Sequence, residues 1–302
     1  TGEPAAPVRA IRDVTPAADP LATLRSLIEK GSVHSPCSAH AEGHSCKAGD
    51  PARVQKWKVL MAAREPQVKL FRNKLKKALF AARVETLAKI EGTEKALAGI
   101  RQRGILDLIF NLADFTASLW SDLKAAHQLT LDLALEQFGE EIGRDPWQLP
   151  PERTLNHLRQ RENLIRDASR EIHDSIKAQL EKGLNAGESS AELARRVRAA
   201  FNGIEKERAE TIALTEVSAS YGLARHDSLD AFGIERREWL SAQDDRVRDT
   251  HRRIDGTQAA LDEPFLVPLK DGGEEPMMHP GDPAGSAENV IRCRCVEVAV
   301  LD

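Results

Sequence analysis

Between residues 52 and 233 apolar side chains return every three to five positions, over runs far longer than a strand. Val68, Phe71, Leu75, Leu79, Ala82, Leu87 and Ile90 mark one such run. Strands alternate with a period of two and rarely exceed ten residues, so this spacing predicts helices. Residues 105–138 form a second run, dense in Leu, Ile and Phe on more than one face, as expected of a helix buried between neighbours or in an assembly. Leu155, Leu158, Ile165, Ala168, Ile172, Ile176 and Leu180 mark a third. Ser189 with Glu192 is a capping-box pattern, and Leu193, Val197 and Phe201 follow it. Ala209, Ile212, Ala213, Val217, Ser220 and Ala224 outline one more helix. The expected punctuation is Pro66 near the start of the first helix and Gly92 at its end. Gly139, Gly143 and Asp145-Pro146 then close the second, and Gly183, Gly203 and Gly233 the later ones. With 4% aromatics and a single Tyr, at Tyr221, the core must be built from Leu, Ala, Ile and Val, which suits helices.

The two ends read differently. Four prolines in the first 20 residues suggest a linker or tail, with a short helix at 20–30. After Gly233 the helical period is lost. A strand is expected at 234–240, a short helix or turn at 244–255, a Gly-, Pro- and Asp-rich loop over 257–289, and the best strand of the chain at 290–300. The fold class that follows is mainly α, with long helices in the N-terminal half and a small, loop-rich α+β module at the C-terminus. Three segments are expected: 1–51 as linker or tail, 52–149 as a helical assembly region, and 150–302 as a further domain. No stretch approaches the roughly 20 apolar residues of a spanning helix, so no membrane partner is expected. A first residue of Thr1, with no signal segment after it, suggests a chain cut from a longer precursor.

Charge is uneven. Residues 1–203 carry 31 Lys and Arg against 26 Asp and Glu, and residues 204–302 carry 12 against 21. Within the first part, Arg64, Lys69, Arg72, Lys74, Lys76, Lys77, Arg83 and Lys89 give the 64–89 helix a basic face, a candidate for contact with DNA or an acidic partner. The acidic C-terminal part argues against its gripping nucleic acid itself.

Four cysteines, paired at opposite ends, do not make a disulfide framework. Cys293 and Cys295 alternate on the expected strand and so share a face, which suits two thiolates meeting one Zn²⁺, with His251 and His279 as the available further ligands. The alternative is two small residues buried under a loop. Asp244, Arg248, His251 and Asp255 fall at helical spacing and would form one polar stripe. It is read as a structural ion-pair network in preference to a general base with its carboxylate partner. His34, Cys37, His40, His44 and Cys46 crowd into 13 residues, but with little apolar sequence to fold around an ion a linker is the preferred reading. The enzymatic alternative is a metal-dependent hydrolase or nuclease using Asp244, His251, Asp255 and the cysteine pair.

Read in order, Arg208-Ala209-Glu210-Thr211-Ile212-Ala213, Thr215-Glu216, Trp239, Asp244-Asp245-Arg246-Val247-Arg248, His251, Asp255-Gly256, Phe265, the Met277-Met278-His279-Pro280-Gly281-Asp282-Pro283 run and Cys293-Arg294-Cys295 resemble the phage Mu protein F-like family of minor head, or head morphogenesis, proteins. The likeness covers roughly residues 150–300. It implies an interaction protein rather than an enzyme, found in the virion and in the host cytoplasm during assembly, with a portal or capsid protein as partner. The apolar excess of residues 105–138, on its own, predicts self-association or binding to a portal protein through residues 52–140. Many members carry Cys-x-x-Cys where this chain has Arg248-Asp249-Thr250-His251. Some members continue into a toxin domain, whereas only seven residues follow Cys295 here.

Overall fold

The computed structural model describes residues 50–92 and 108–301. The 20–30 helix and the His34 to Cys46 cluster lie outside them. Four long helices come first: α1 (Pro51–Gly92), α2 (Leu112–Ile142), α3 (Pro151–Asn185) and α4 (Ser190–Ala231). They share one core. Phe71, Leu75 and Leu79 of α1, Leu119 and Leu123 of α2, Ile165, Ile172 and Ile176 of α3, and Val197, Phe201, Ala213 and Val217 of α4 are all buried in it. The apolar excess around residues 105–138 is absorbed this way, because α2 lies against α1, α3 and α4 at once. No helix is long and apolar enough to cross a membrane, among the described residues.

Helix ends follow local chemistry where packing does not intervene. Asn111 caps α2 through a hydrogen bond from the Asp114 N–H, and Gly143 ends it in the left-handed region at φ 69°. Ser189 and Glu192 form the expected capping box of α4. One expected start and two expected stops are corrected. Pro66 lies inside α1, which begins at Pro51. Gly183 lies inside α3, where it lets the first turns of α4 approach: a Cβ there would sit 2.6 Å from Leu193. Gly203 does not divide α4. Phe201, Ile204, Ala209 and Ala213 continue one buried face across it, and that burial outweighs the roughly 1 kcal/mol that Gly costs in a helix interior.

The basic face of α1 is partly consumed by the fold. Arg64 is buried and donates to Ser218 at 2.6 Å. Arg72 pairs with Glu210 at 2.8 Å and Lys76 approaches Glu205 at 3.7 Å, both on α4. Lys69 and Lys77 remain exposed.

The C-terminal module holds β1 (Arg236–Leu240), α5 (Asp249–Arg253), β2 (Gln258–Ala260), β3 (Phe265–Pro268), β4 (Glu274–Met277), α6 (Ala287–Val290) and β5 (Val296–Val300). One antiparallel sheet runs β2-β1-β5, and β3 and β4 form a separate hairpin. The expectation of a loop over 257–289 is corrected: three short strands and most of α6 lie there. They were hidden by strands of three and four residues, too short for a period to show. The 290–300 strand is corrected too. Only residues 296–300 pair, with β1, while Val290 closes α6 and Arg292 turns the chain at φ 57°. The expected alternation of faces fails in β5, where Val296, Glu297, Val298 and Ala299 are all buried. The helices cover one side of it: Val296 and Val298 pack with Trp57, Leu60, Leu131 and Tyr221. Buried charges lock this joint. Arg225 on α4 donates to Glu141 on α2 at 2.6 Å and to the Glu297 carbonyl at 3.1 Å, and Lys56 of α1 lies 3.4 Å from Glu141.

Candidate metal centre

Beneath the module, α5 delivers His251 and the turn between α6 and β5 delivers Cys293 and Cys295. All three are buried, and their ligand atoms lie within 4.8 Å of one another. His251 Nδ1 is 3.2 Å from the Cys295 sulfur and 3.8 Å from that of Cys293. The other ring nitrogen, Nε2, is 3.1 Å from Asn289 Oδ1. The Asn289 amide nitrogen donates to the Pro268 carbonyl at 3.2 Å and to Glu275 at 2.7 Å, both acceptors only. That orients the amide with its oxygen toward the imidazole. The neutral ring therefore carries its proton on Nε2, and the Nδ1 lone pair faces the two sulfurs. A histidine oriented by an outer hydrogen bond, with its free nitrogen beside two thiols, is the arrangement of a metal ligand and its supporting shell. Trp239 packs edge-on against His251, with ring centroids 5.5 Å apart, and excludes water from that side.

The cysteine turn is gripped by the helices. The Arg292 N–H donates to Thr215 at 3.0 Å, Ser218 donates to the Cys293 carbonyl, and the Trp57 indole donates to the Arg294 carbonyl at 2.9 Å. Thus α1 and α4 fix the backbone that places both sulfurs. Arg294 turns outward and meets Asp244 through two hydrogen bonds, at 2.5 and 2.8 Å, which hold the Asp244 carboxyl down to about 2. A hydrogen bond from the Cys295 thiol draws the Cys293 pKa well down against its burial. Burial pushes Cys295 up, and the neighbouring Cys293 adds to it.

The structure brings together His251, Cys293 and Cys295, and places His279 elsewhere. His279 is buried against α4 at Gly222, where a Cβ would come within 2.7 Å of its Nδ1, with its ring 5.7 Å from that of His226. The loop that carries it folds back over α4 instead of over the cysteine turn. The polar stripe is likewise corrected, because α5 is a helix of only five residues. Asp244 goes to Arg294, and Arg248 to the Ile291 carbonyl. Asp255 takes Arg53 at 2.7 Å, the Ser241 N–H at 2.7 Å and Gln243 at 3.1 Å. Asp255 ties the module to α1 through Arg53, while Asp244, Arg248 and His251 find their partners within the module. Both carboxylates are occupied by these partners and do not converge with His251, so the structure gives no support to the enzymatic alternative.

Asn289, Glu275 and Ser218 are structural partners of the site that sequence reasoning passed over. Only Ser218 had a signal, as a polar residue on the buried face of a helix three positions after Thr215. Asn289 and Glu275 lie in aperiodic sequence, and their pairing is visible only in three dimensions.

The packing of these motifs into one unit coincides with a likeness between proteins. Residues 174–298 match the model of a family described as Phage Mu protein F like protein. It is the family that the ordered motifs resemble. The matched region takes in the Thr215-Glu216 face, His251 and the cysteine turn. The chain is also 26% identical over 180 residues to the uncharacterized protein YqbB of Bacillus subtilis (strain 168), covering 58% of each chain. It is 27% identical over 136 residues to the NAD(+)--arginine ADP-ribosyltransferase EFV of Enterococcus faecalis (strain ATCC 700802 / V583), covering 44% of this chain and 26% of that protein. The chain thus spans less than two thirds of the length of either relative. No solved structure matches it.

Proposed function

We propose that this chain is a minor capsid, or head morphogenesis, protein of a bacteriophage or prophage, which docks at the portal vertex or the inner head during assembly and DNA packaging. The observation that carries the reading is the Mu F-like match over residues 174–298. The fold supports it. The motif residues serve to fasten a small module onto a long helical body, and the two acids of the enzymatic alternative are spent on ion pairs and hydrogen bonds. A portal or capsid protein is the partner, in the virion and in the host cytoplasm during assembly. Lys69 and Lys77, with the half-buried Lys74, are what α1 offers to DNA or to an acidic partner surface. Self-association through residues 52–140 belongs to the same reading, although the apolar face of α2 is already covered within the chain.

Zinc at His251, Cys293 and Cys295 completes the proposal. It would tie α5 to the cysteine turn in a module with a small core of its own. Two measurements test the whole. Tagging the chain in assembled particles and locating the tag by electron cryomicroscopy should place it in the head, in few copies at one vertex. Mature heads that contain none of it, and assemble normally after its deletion, would remove the head role. Elemental analysis of chelator-free protein should find about one zinc per chain, lost in the Cys293→Ser/Cys295→Ser variant.

A further inference from the structure

The three candidate ligands leave one tetrahedral position without a protein donor. No fourth His, Cys, Asp or Glu joins them among the described residues. A cleft of about 200 Å³ reaches His251 and Cys295 from the surface and is lined besides by Leu214, Ala242 and Val247 and by four arginines. Trp239 and Asn289 close the opposite side of His251. No carboxylate lines this cleft. Arg294 is neutralised by Asp244, which Arg246 also approaches at 3.4 Å. Arg248 donates to the Ile291 carbonyl and keeps its charge at the rim. Arg292 is exposed at the same rim, with only its backbone N–H engaged, by Thr215. A divalent ion held by two thiolates and a neutral imidazole carries no net charge, so the rim charge is not cancelled from below. An anion entering here would meet positive charge first and an open metal position last.

We infer that the centre at His251, Cys293 and Cys295 keeps its fourth position open to the arginine-lined cleft and binds there an oxygen anion, a carboxylate or a phosphate. This rests on the zinc reading above. It assigns the cleft a binding role and not a catalytic one: no group that could act as a base beside the open position lines it. A free ion and an acidic side chain of the docking partner present the same donor.

The test uses the full chain, stripped of metal and reloaded with Co²⁺, whose visible spectrum reports coordination. Sulfur-to-cobalt charge-transfer bands, absent from the Cys293→Ser/Cys295→Ser variant, are expected on loading. Titration with inorganic phosphate, and separately with acetate, should then shift the d–d bands in a saturable way. Arg292→Gly removes one rim charge at a residue whose φ of 57° glycine accepts freely. It should raise the half-saturating anion concentration about tenfold while leaving cobalt loading intact. A response to phosphate alone, or to acetate alone, assigns the source of the donor and supports the inference. Charge-transfer bands with d–d bands that neither anion moves would mean a closed site and overturn the inference while keeping the metal. A chain that takes up no cobalt would overturn both.

Discussion

The core shared by α1, α2, α3 and α4 contains 25 buried apolar residues among those described, whereas the module around β3, β4 and the cysteine turn has eight, two of them cysteines. The helical body is held by continuous apolar faces that several helices share. The module's strands are three to five residues long, and its coherence comes from specific polar contacts: Asn289 to Pro268 and Glu275, Asp255 to Ser241 and Arg53, Asp244 to Arg294. Small cores commonly need a disulfide or a metal as well. Here the two thiols and the imidazole occupy the place where such a staple would act. A region stabilised by area should tolerate loss of any one hydrogen bond and suffer from a cavity. A region stabilised by contacts should do the reverse.

The largest effect should come from Phe201→Ala. Phe201 is 1% exposed and its ring lies edge-on to Phe110 at 5.6 Å. Truncation leaves a cavity in the shared core, at a cost of about 3–5 kcal/mol. Urea unfolding of the full chain should show the midpoint fall with little change in slope. A loss below about 1 kcal/mol would mean that the body can collapse around the gap and is not the rigid partner in this comparison.

Asn289→Ala applies the opposite stress. It leaves the buried His251 Nε2 proton without its partner, at a cost of about 1–3 kcal/mol, while Glu275 keeps the Ser286 N–H and hydroxyl. It should also weaken zinc binding about 10- to 100-fold, because the imidazole loses what orients it. Zinc affinity equal to that of the unaltered chain would show that the cysteine turn alone sets the geometry.

The contrast also explains what could be read from the sequence. The body was legible because helix periodicity repeats over 30 to 40 residues, as in α3 and α4. Its errors fell at Pro66, Gly183 and Gly203, where packing overrode a local breaker. In the module, the pairing of His251 with Cys293 and Cys295 was legible because few soft ligands were available. The wrong addition was His279, since nothing in a Gly- and Pro-rich loop states which way it folds. Arg64 was placed on the basic face offered to DNA or an acidic partner and is buried instead, because a long charged side chain on a helix gives no sign that a hydroxyl such as that of Ser218 awaits it.

Acid should act on the body first. His127 Nδ1 and His157 Nε2 both lie 2.9 Å from Ser220 Oγ, deep between α2, α3 and α4. Arg161, Glu216 and the other histidine face them, Arg161 being held by Glu216 through bonds of 2.7 and 2.8 Å. Burial, reinforced by Arg161, lowers His127 well below the usual histidine value and brings His157 to about 3. The folded pKa values lie below the unfolded ones, so both rings are neutral in the fold, and the unfolded chain takes up the protons. Stability is therefore full above about pH 6.5 and falls as pH drops from there toward 3, by about 1.4 kcal/mol per pH unit for each proton. His157→Gln should flatten that slope. A slope unchanged by the substitution would place the acid sensitivity elsewhere, in the paired carboxylates of the module.

The smallest effect belongs to the capping box, and it is the cleanest local test. Ser189 accepts from the Glu192 N–H, and the Glu192 carboxylate accepts from the Ser189 N–H at 2.9 Å. The pair is solvent-exposed, so Ser189→Ala removes hydrogen bonds that water replaces in part. The expected cost is about 1 kcal/mol, and it falls on the start of α4, whose later turns carry Thr215 and Ser218 to the cysteine turn. Because Leu193, Val197 and Phe201 hold the first turns in the core, fraying should stop there. Amide exchange should quicken over the first turn of α4 and stay slow at Ser218. Faster exchange reaching Ser218 would show that the body transmits a local loss to the module. Its division into a part held by area and a part held by contacts would then no longer hold at α4, the helix that joins them.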